Sequence, residues 1–180
     1  MQNNNIKTKL IEIVKDVEEA FNEYFDVFSK FNIEGKPYII GGFLRNILLD
    51  RSTKDLDIIV LNGNKENILE NIRKNNLEYK INNFNGYKIL YNGKEIDIWD
   101  VNNLIDGIEY NIEALFYDIK EKKFIDLGFT DSIENNRLIE INEKNRSNKY
   151  IQRRDKICKE WNTLKKCLLK DRYMEEELER

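Results

Sequence analysis

Apolar residues in the amino-terminal part of the chain recur every three or four positions, which is the spacing of one face of an α-helix. This pattern runs through residues 6–31 and predicts a long amphipathic helix. Gly35 and Pro37 mark its end, and a short apolar run then predicts a buried strand that leads into Gly41 and Gly42. The apolar positions of the predicted helix are Ile6, Leu10, Ile13, Val14, Val17, Ala20, Phe21, Tyr24, Phe25, Phe28 and Phe31.

Helical and strand-like patterns alternate through the rest of the chain without an internal repeat. Asn92 and Gly93, placed between two runs rich in β-forming residues, predict a β-hairpin. We expect an α+β fold, with a mixed, mostly antiparallel sheet, helices packed against it and a C-terminal helix. The expected helices lie at 43–49, 66–74, 111–117 and 148–171, and the expected strands at 38–40, 55–60, 79–81, 87–91, 95–99, 123–126 and 137–141.

Composition limits the chemistry that is open to the chain. It contains no histidine, which excludes Ser-His-Asp and Cys-His catalysis as well as histidine metal sites. Its two cysteines, Cys158 and Cys167, are too few and wrongly spaced for zinc, and we expect buried thiols. No apolar run reaches the roughly 20 residues that cross a bilayer, and the first residues lack a secretory signal pattern, so a cytoplasmic location without membrane contact is expected. Acid-base and metal chemistry must therefore fall to carboxylates.

The chain turns basic after residue 143, although its net charge is −3. We therefore expect a catalytic domain over residues 1–143 and a basic, helical C-terminal segment over residues 144–180 that packs on it. A solvated helix face and a contact with nucleic acid both explain such a basic segment.

Two aspartates open the strand predicted at 55–60. Because side chains alternate along a strand, Asp55 and Asp57 share one face while Leu56 points into the core. Like charges one pleat apart repel unless a cation neutralises them, and hard oxygen ligands suit Mg²⁺, although a lone Asp-x-Asp is also common in solvated turns. Asp97 repeats the pattern between two isoleucines. If the two strands are neighbours, three carboxylates converge and can hold two metal ions for phosphoryl transfer.

Gly41 and Gly42 lie between a predicted strand and a predicted helix. The missing Cβ atoms let backbone N–H groups approach a phosphate, and the start of a helix adds positive potential. A plain tight turn has the same sequence, so the pair alone is weak. The order of features is more specific: strand, glycine pair, helix with Arg45, loop ending at Lys54, then Asp-x-Asp on a second strand.

This order resembles the head domain of bacterial poly(A) polymerases and class II CCA-adding tRNA nucleotidyltransferases, which are nucleotidyltransferases of the polymerase-β type. Residues 38–49 and 54–58 carry the glycine and Asp-x-Asp motifs, and residues 95–98 resemble the strand of the third carboxylate. Residues 111–118, NIEALFYD, resemble the T-I-N-A-L-x-Y-D motif, and residues 124–139 resemble its continuation. The resemblance implies a nucleotidyltransferase fold.

The resemblance also implies roles for individual residues. It assigns two Mg²⁺ ions to Asp55 and Asp57 with Asp97, which also helps to activate the acceptor hydroxyl. It implies an enzyme that transfers a nucleoside monophosphate from an NTP such as ATP to the 3′-hydroxyl of RNA or tRNA and releases pyrophosphate, with nucleotide and RNA binding and tRNA processing as its functions. By the resemblance, Gly41, Gly42 and Arg45 contact the incoming triphosphate. Lys54, Arg153 and Arg154 are further candidate nucleotide-binding residues.

Several positions depart from the family pattern. Asn46 stands where the family usually has aspartate, Glu113 replaces the asparagine of T-I-N-A-L, and residues 107–109 (GIE) replace its R-R-D segment. The family's E-D-x-x-R helix, which reads base edges, is not recognisable after residue 148. Arg153 and Arg154 lie at about its place, and they either contact triphosphate or RNA backbone as point charges or belong to a surface helix that packs on the head domain.

The helical body and tail that hold tRNA in the family have no counterpart in this sequence. The preferred hypothesis is a compact transferase that modifies an RNA or tRNA-like 3′ end, alone or with a protein partner that supplies the missing parts. One rival is a toxin-like transferase that modifies tRNA, a protein or a small molecule. The other is a catalytically silent head domain that binds nucleotide or RNA.

Overall fold

The structure, a computed structural model, describes residues 5–53, 55–142 and 148–169. Its strands are β1 (Lys36–Ile40), β2 (Asp55–Leu61), β3 (Tyr79–Ile81), β4 (Tyr87–Tyr91), β5 (Lys94–Val101), β6 (Leu115–Asp118) and β7 (Lys123–Asp126). Its helices are α1 (Asn5–Glu12), α2 (Val14–Phe21), α3 (Phe25–Phe28), α4 (Gly41–Leu48), α5 (Lys65–Lys74), α6 (Phe129–Glu134) and α7 (Asn148–Leu168), with 3₁₀ turns at Asn22–Tyr24, Leu104–Gly107 and Asn111–Glu113.

Within these residues the strands form one sheet in the order β3-β4-β5-β2-β1-β6-β7. The pairing of β2 with β5 is parallel, and the other described pairings are antiparallel. The predicted α+β class, the mostly antiparallel sheet and the C-terminal helix are therefore confirmed. The predicted hairpin is confirmed as well, because Asn92 and Gly93 connect β4 to β5 with the positive φ angles, 50° and 76°, that a tight hairpin turn requires.

In the central strands of the sheet, side chains point alternately to its two faces, and both faces are covered by apolar clusters. On one face Ile58 and Val60 join the main core, to which residues of the helices also belong. On the other face Ile59 and Trp99 belong to a second apolar cluster, together with residues of the chain around the Leu104–Gly107 turn. Asp57, two residues before Ile59, has the same orientation and lies on this second face.

The helix predicted over 6–31 is interrupted. α1 and α2 are separated at Ile13, and the 3₁₀ turn Asn22–Tyr24 separates α2 from α3. Tyr24 and Val27 are both buried, so the apolar spacing continues across the tighter turn. Periodicity alone therefore does not reveal these changes in helical geometry.

The helix predicted over 111–117 is wrong. This segment is a 3₁₀ turn followed by β6, which pairs with β1 and β7. All four residues of β6 are buried, so the run lacks the polar-apolar alternation of a half-exposed strand, and a short buried run does not distinguish strand from helix. The strand predicted over 137–141 is also wrong, since the described chain there makes a single bridge, between Glu140 and Tyr110.

The helix α7 packs on the rest of the molecule through its apolar side. Ile157 and Leu164 belong to the main core, and the indole nitrogen of Trp161 donates a hydrogen bond of 3.1 Å to the carbonyl oxygen of Ser132. The two cysteines, both on α7, are free and partly buried. Among the described residues, no helical stretch has the length and apolar character of a bilayer span.

Candidate active site

A cavity of about 700 Å³ opens where the ends of β1, β2 and β5 meet the start of α4 and one side of α7. It gathers most of the residues to which the sequence assigned chemistry, although these are far apart along the chain. Those that line it are Gly41, Gly42, Arg45, Asp55, Asp57, Asp97 and Arg153.

The three aspartates reach this cavity because β2 and β5 are neighbours in the sheet. In their parallel register, Asp57 is directly opposite Asp97, and Asp55 is opposite Glu95. The condition that the sequence left open, adjacency of the two strands, is therefore met. In the part of the chain that the structure describes, however, no group of three or more acidic or thiol side chains is close enough to hold one metal ion. The aspartates share a face and a cavity without forming a three-ligand cage.

The surroundings of Asp57 disfavour the charged form of its carboxyl group. Burial, and next the neighbouring Asp97 carboxylate, raise the pKa of Asp57 to about 6, although the guanidinium of Arg45 acts in the opposite direction. Two carboxylates paired across adjacent strands offer hard oxygen ligands whose repulsion a divalent cation would relieve. The residues present therefore fit Mg²⁺, with Asp57 and Asp97 as the paired ligands and Asp55 at the rim.

The structure gives a reason for glycine at positions 41 and 42 that was not evident from the sequence. Gly41 has φ +72°, and a Cβ at this position would lie 2.7 Å from the Oδ2 atom of Asp57. The left-handed backbone therefore favours glycine, and any larger residue would also force the Asp57 carboxylate to shift. Gly42 differs, since a Cβ built there meets no described atom within 4 Å. Open space above the start of α4 is what a phosphate-binding turn needs.

Both oxygens of Asp97 are engaged by side chains of the same sheet region. The amide nitrogen of Asn82 donates a hydrogen bond of 3.0 Å to Oδ1, and the ammonium of Lys88 lies 3.3 Å from Oδ2. The same ammonium is 2.5 Å from the Oε2 atom of Glu95. Lys88 was missed in the sequence, yet a signal was present: the two-residue turn of the hairpin places Lys88 directly opposite Asp97.

Arg45 is buried at the floor of the cavity. Its Nε atom donates a hydrogen bond of 2.8 Å to Glu160 on α7, and its Nη1 atom lies 3.7 Å from Glu113. Within the described ranges Nη1 is buried and makes no hydrogen bond. A buried guanidinium nitrogen without a hydrogen-bond acceptor is costly unless a ligand supplies one.

Glu109 and Glu113, two residues that depart from the family pattern, make specific contacts in the structure. Glu113 accepts two hydrogen bonds from backbone nitrogens, of 3.0 Å from Glu109 and 3.2 Å from Tyr110, which fixes the 3₁₀ turn that follows. Arg153 of α7 donates through Nη2 to Glu113 at 2.9 Å and through Nε to Glu109. The two buried glutamates therefore bind α7 through Arg153 and hold this arginine at the cavity.

The remaining predicted residues do not come together here. Arg154 is exposed and is not among the described residues that line the cavity. Lys54 lies outside the described residues. Two residues of α7 that the sequence did not single out, Lys156 and Glu160, do line the cavity, and their spacing from Arg153, three and seven residues, puts all three on one side of the helix.

Comparison with known proteins supports the fold. No protein-family model and no curated protein matches the sequence. A solved tRNA-processing enzyme complex aligns with 88% of this chain and 46% of its own at 15% identity and a TM-score of 0.50. A Thermotoga maritima CCA-adding enzyme complexed with tRNA aligns with 74% of this chain and 33% of its own at 20% identity, with a TM-score of 0.49.

The likeness to the tRNA-processing enzyme, at 15% identity, is a likeness of fold. It confirms the nucleotidyltransferase fold that the motifs implied. The chain spans less than half the length of either solved structure.

Proposed function

We propose that the protein is a metal-dependent nucleotidyltransferase that transfers a nucleoside monophosphate from an NTP to an acceptor hydroxyl, with an RNA or tRNA-like 3′ end as the acceptor. The observation that carries the proposal is the pairing of Asp57 with Asp97 across β2 and β5, inside a cavity bounded by the glycine turn. The ordered motifs of residues 38–58 and the shared fold support the same activity.

Asp55, Asp57 and Asp97 would hold two Mg²⁺ ions. When bound, such ions neutralise the triphosphate and lower the pKa of an attacking hydroxyl. The chain's own contribution is to keep the carboxylates in place. Gly41 leaves room for Asp57, and Asn82 orients Asp97 by its hydrogen bond to Oδ1. Catalysis then consists of positioning and charge neutralisation, without a protein nucleophile.

The phosphates of the NTP would bind at the start of α4. Gly42 offers open space there, and the first turn of a helix presents unpaired backbone N–H groups. Arg45 adds a buried Nη1 atom with no acceptor in the described structure. Arg153 and Lys156 also line the cavity, although both form ion pairs with glutamates. A triphosphate would offer acceptors to Nη1 of Arg45 and to the backbone N–H groups at the start of α4.

An RNA acceptor is supported by the fold shared with a tRNA-processing enzyme and by the basic character of α7. Exposed cations on this helix, Arg154 among them, would contact RNA phosphates rather than bases. A second candidate is a catalytically silent module that binds nucleotide or RNA. It is favoured by Asp97, both of whose oxygens are already engaged by Asn82 and Lys88.

Label transfer separates the two candidates. The protein is incubated with Mg²⁺, each α-labelled NTP in turn, and total RNA, total protein or a small-molecule pool as acceptor. We expect label in RNA with the wild type and none with Asp57→Asn. Asp100→Asn is the matched control, because Asp100 is an exposed aspartate of β5 that does not line the cavity. Label in protein or small molecules identifies the toxin-like rival, and nucleotide binding without transfer to any acceptor identifies the silent module.

A further inference from the structure

Lys88 places a positive charge among the acidic residues of the cavity, at the position where the proposed metal site needs its third carboxylate. Its ammonium lies 3.3 Å from the Oδ2 atom of Asp97 and 2.5 Å from the Oε2 atom of Glu95. The cross-strand register of the hairpin fixes this arrangement, since Lys88 is paired with Asp97. A lysine directly opposite an aspartate forms a favourable cross-strand pair.

The two carboxylates around Lys88 differ in their environment. The Asp97 side chain is 15% exposed, whereas that of Glu95 is 47% exposed, and Lys88 is intermediate at 34%. The ammonium is already closer to Glu95 than to Asp97. It can therefore leave Asp97 by a small movement towards the rim of the cavity and keep an ion pair throughout.

Asp97 itself is not free to follow. The hydrogen bond from Asn82 to Oδ1 holds the carboxylate in its orientation, so Oδ2 is the oxygen that exchanges its partner. This oxygen belongs to the residue opposite Asp57. Any cation that bridges Asp57 and Asp97 has to compete with the lysine for it.

We propose that Lys88 is a resident cation of Asp97 that a divalent ion displaces, and that Glu95 receives the displaced ammonium. Lys88 is thus a positioning residue that sets how much divalent ion the enzyme requires. The inference rests on the proposed function, because it concerns the same metal site. It explains how Asp97 can be neutralised in the metal-free fold and still serve as a ligand.

The charge at positions 88 and 95 determines whether each variant gains or loses affinity for a divalent ion. Lys88→Gln leaves Asp97 and Glu95 unneutralised beside Asp57, so affinity for a divalent ion should rise about fivefold, the upper end of the effect expected of one partly exposed charge pair. Lys88→Arg keeps the charge and should stay close to the wild type. Glu95→Gln removes the receiving carboxylate, so the ammonium stays on Asp97 and affinity should fall.

The test measures binding of Mn²⁺ to the full chain by electron paramagnetic resonance, with no nucleotide present. Asp57→Asn identifies the signal that belongs to the site, because this variant should lose it. Thermal melting with and without Mn²⁺ provides a second readout, in which Lys88→Gln should show a larger upward shift than the wild type. Because Glu95→Gln should lower the affinity for Mn²⁺ whereas Lys88→Gln should raise it, the test remains decisive even if one of the two variants folds poorly.

Three results overturn the inference. If Lys88→Gln binds Mn²⁺ with wild-type affinity at a site that needs Asp57, Lys88 does not compete, and the proposed function stands without it. Equal gains in affinity for Lys88→Gln and Lys88→Arg would show that the lysine acts through shape rather than charge. Absence of Mn²⁺ binding in all of the proteins would remove both the inference and the metal-dependent function.

Discussion

Replacing Asp57 by asparagine is expected to stabilise the metal-free protein at neutral pH. Burial, and next the Asp97 carboxylate, raise the pKa of Asp57 from 3.8 to about 6. The folded state therefore binds this proton more tightly than the unfolded chain does, so the stability that the group contributes is present below pH 3.8 and is lost as the pH rises through 6. At roughly 1.4 kcal/mol per pKa unit, the shift corresponds to about 3 kcal/mol.

Asparagine keeps nearly the same shape and cannot ionise, so the variant should avoid this loss. In the presence of a chelator above pH 6, Asp57→Asn should melt roughly 6–12 °C higher than the wild type, as expected for a chain of this size. Below pH 3.8 the difference should disappear. Added Mg²⁺ should raise the melting temperature of the wild type and leave that of the variant unchanged.

Thermal or urea unfolding across this pH range measures the effect, with Asp100→Asn as a control for the loss of an exposed aspartate. A variant that is less stable than the wild type at neutral pH in chelator would refute the reasoning. So would a stability difference that persists unchanged into the acid range, because it would have a cause other than ionisation of this carboxyl.

Three further predictions concern Gly41, Arg153 and Tyr117, the first two with a matched control variant. Gly41→Ala should destabilise the fold by about 1–3 kcal/mol, because of the positive φ and the contact with a carboxylate oxygen, whereas Gly42→Ala should keep the melting temperature and weaken NTP binding measured by calorimetry. Arg153→Ala should cost about 2 kcal/mol in urea unfolding, since it leaves two buried glutamates with less positive charge, and Arg154→Ala, at an exposed position, should cost almost nothing. An equal loss in both would contradict the ion-pair assignment. Burial raises the pKa of Tyr117 to about 12, so the wild type should lose stability as the pH rises from 10 through 12. Tyr117→Phe should not show this loss, and identical profiles of stability against alkaline pH for the two proteins would contradict the prediction.

Local patterns predicted much of the fold. The alternation in β2, with aspartates on one face and Ile58 on the other, depends only on the twofold period of a strand, and the structure has it. The turn Asn92 and Gly93 likewise determined the hairpin and its register, because few residues adopt the backbone angles of such a turn. The absence of histidine left carboxylates as the groups for acid-base and metal chemistry, because composition alone decides which side chains the chain can use.

Other features depend on pairings between distant parts of the chain, which no local pattern encodes. The helix predicted over 111–117 is wrong because the burial of this segment comes from both neighbouring strands and from α6, not from its own periodicity. The sequence left open whether Arg153 contacts a ligand or packs on the rest of the chain, and in the structure it pairs with two glutamates about 40 residues away. Such ion pairs form only where the fold brings residues that are distant in the sequence into contact.

By itself, the sequence determined the glycine turn and the faces of β2, since each follows from residue type and short-range geometry, and its lack of histidine limited the candidate chemistry to carboxylates. The tertiary structure alone decided that β2 and β5 run side by side in parallel, which puts Asp57 opposite Asp97. It also decided that the Asp57 carboxylate lies against Gly41, where it leaves little room for a Cβ atom. These relations arise from strand order and burial, which are set by the collapse of the whole chain around its core.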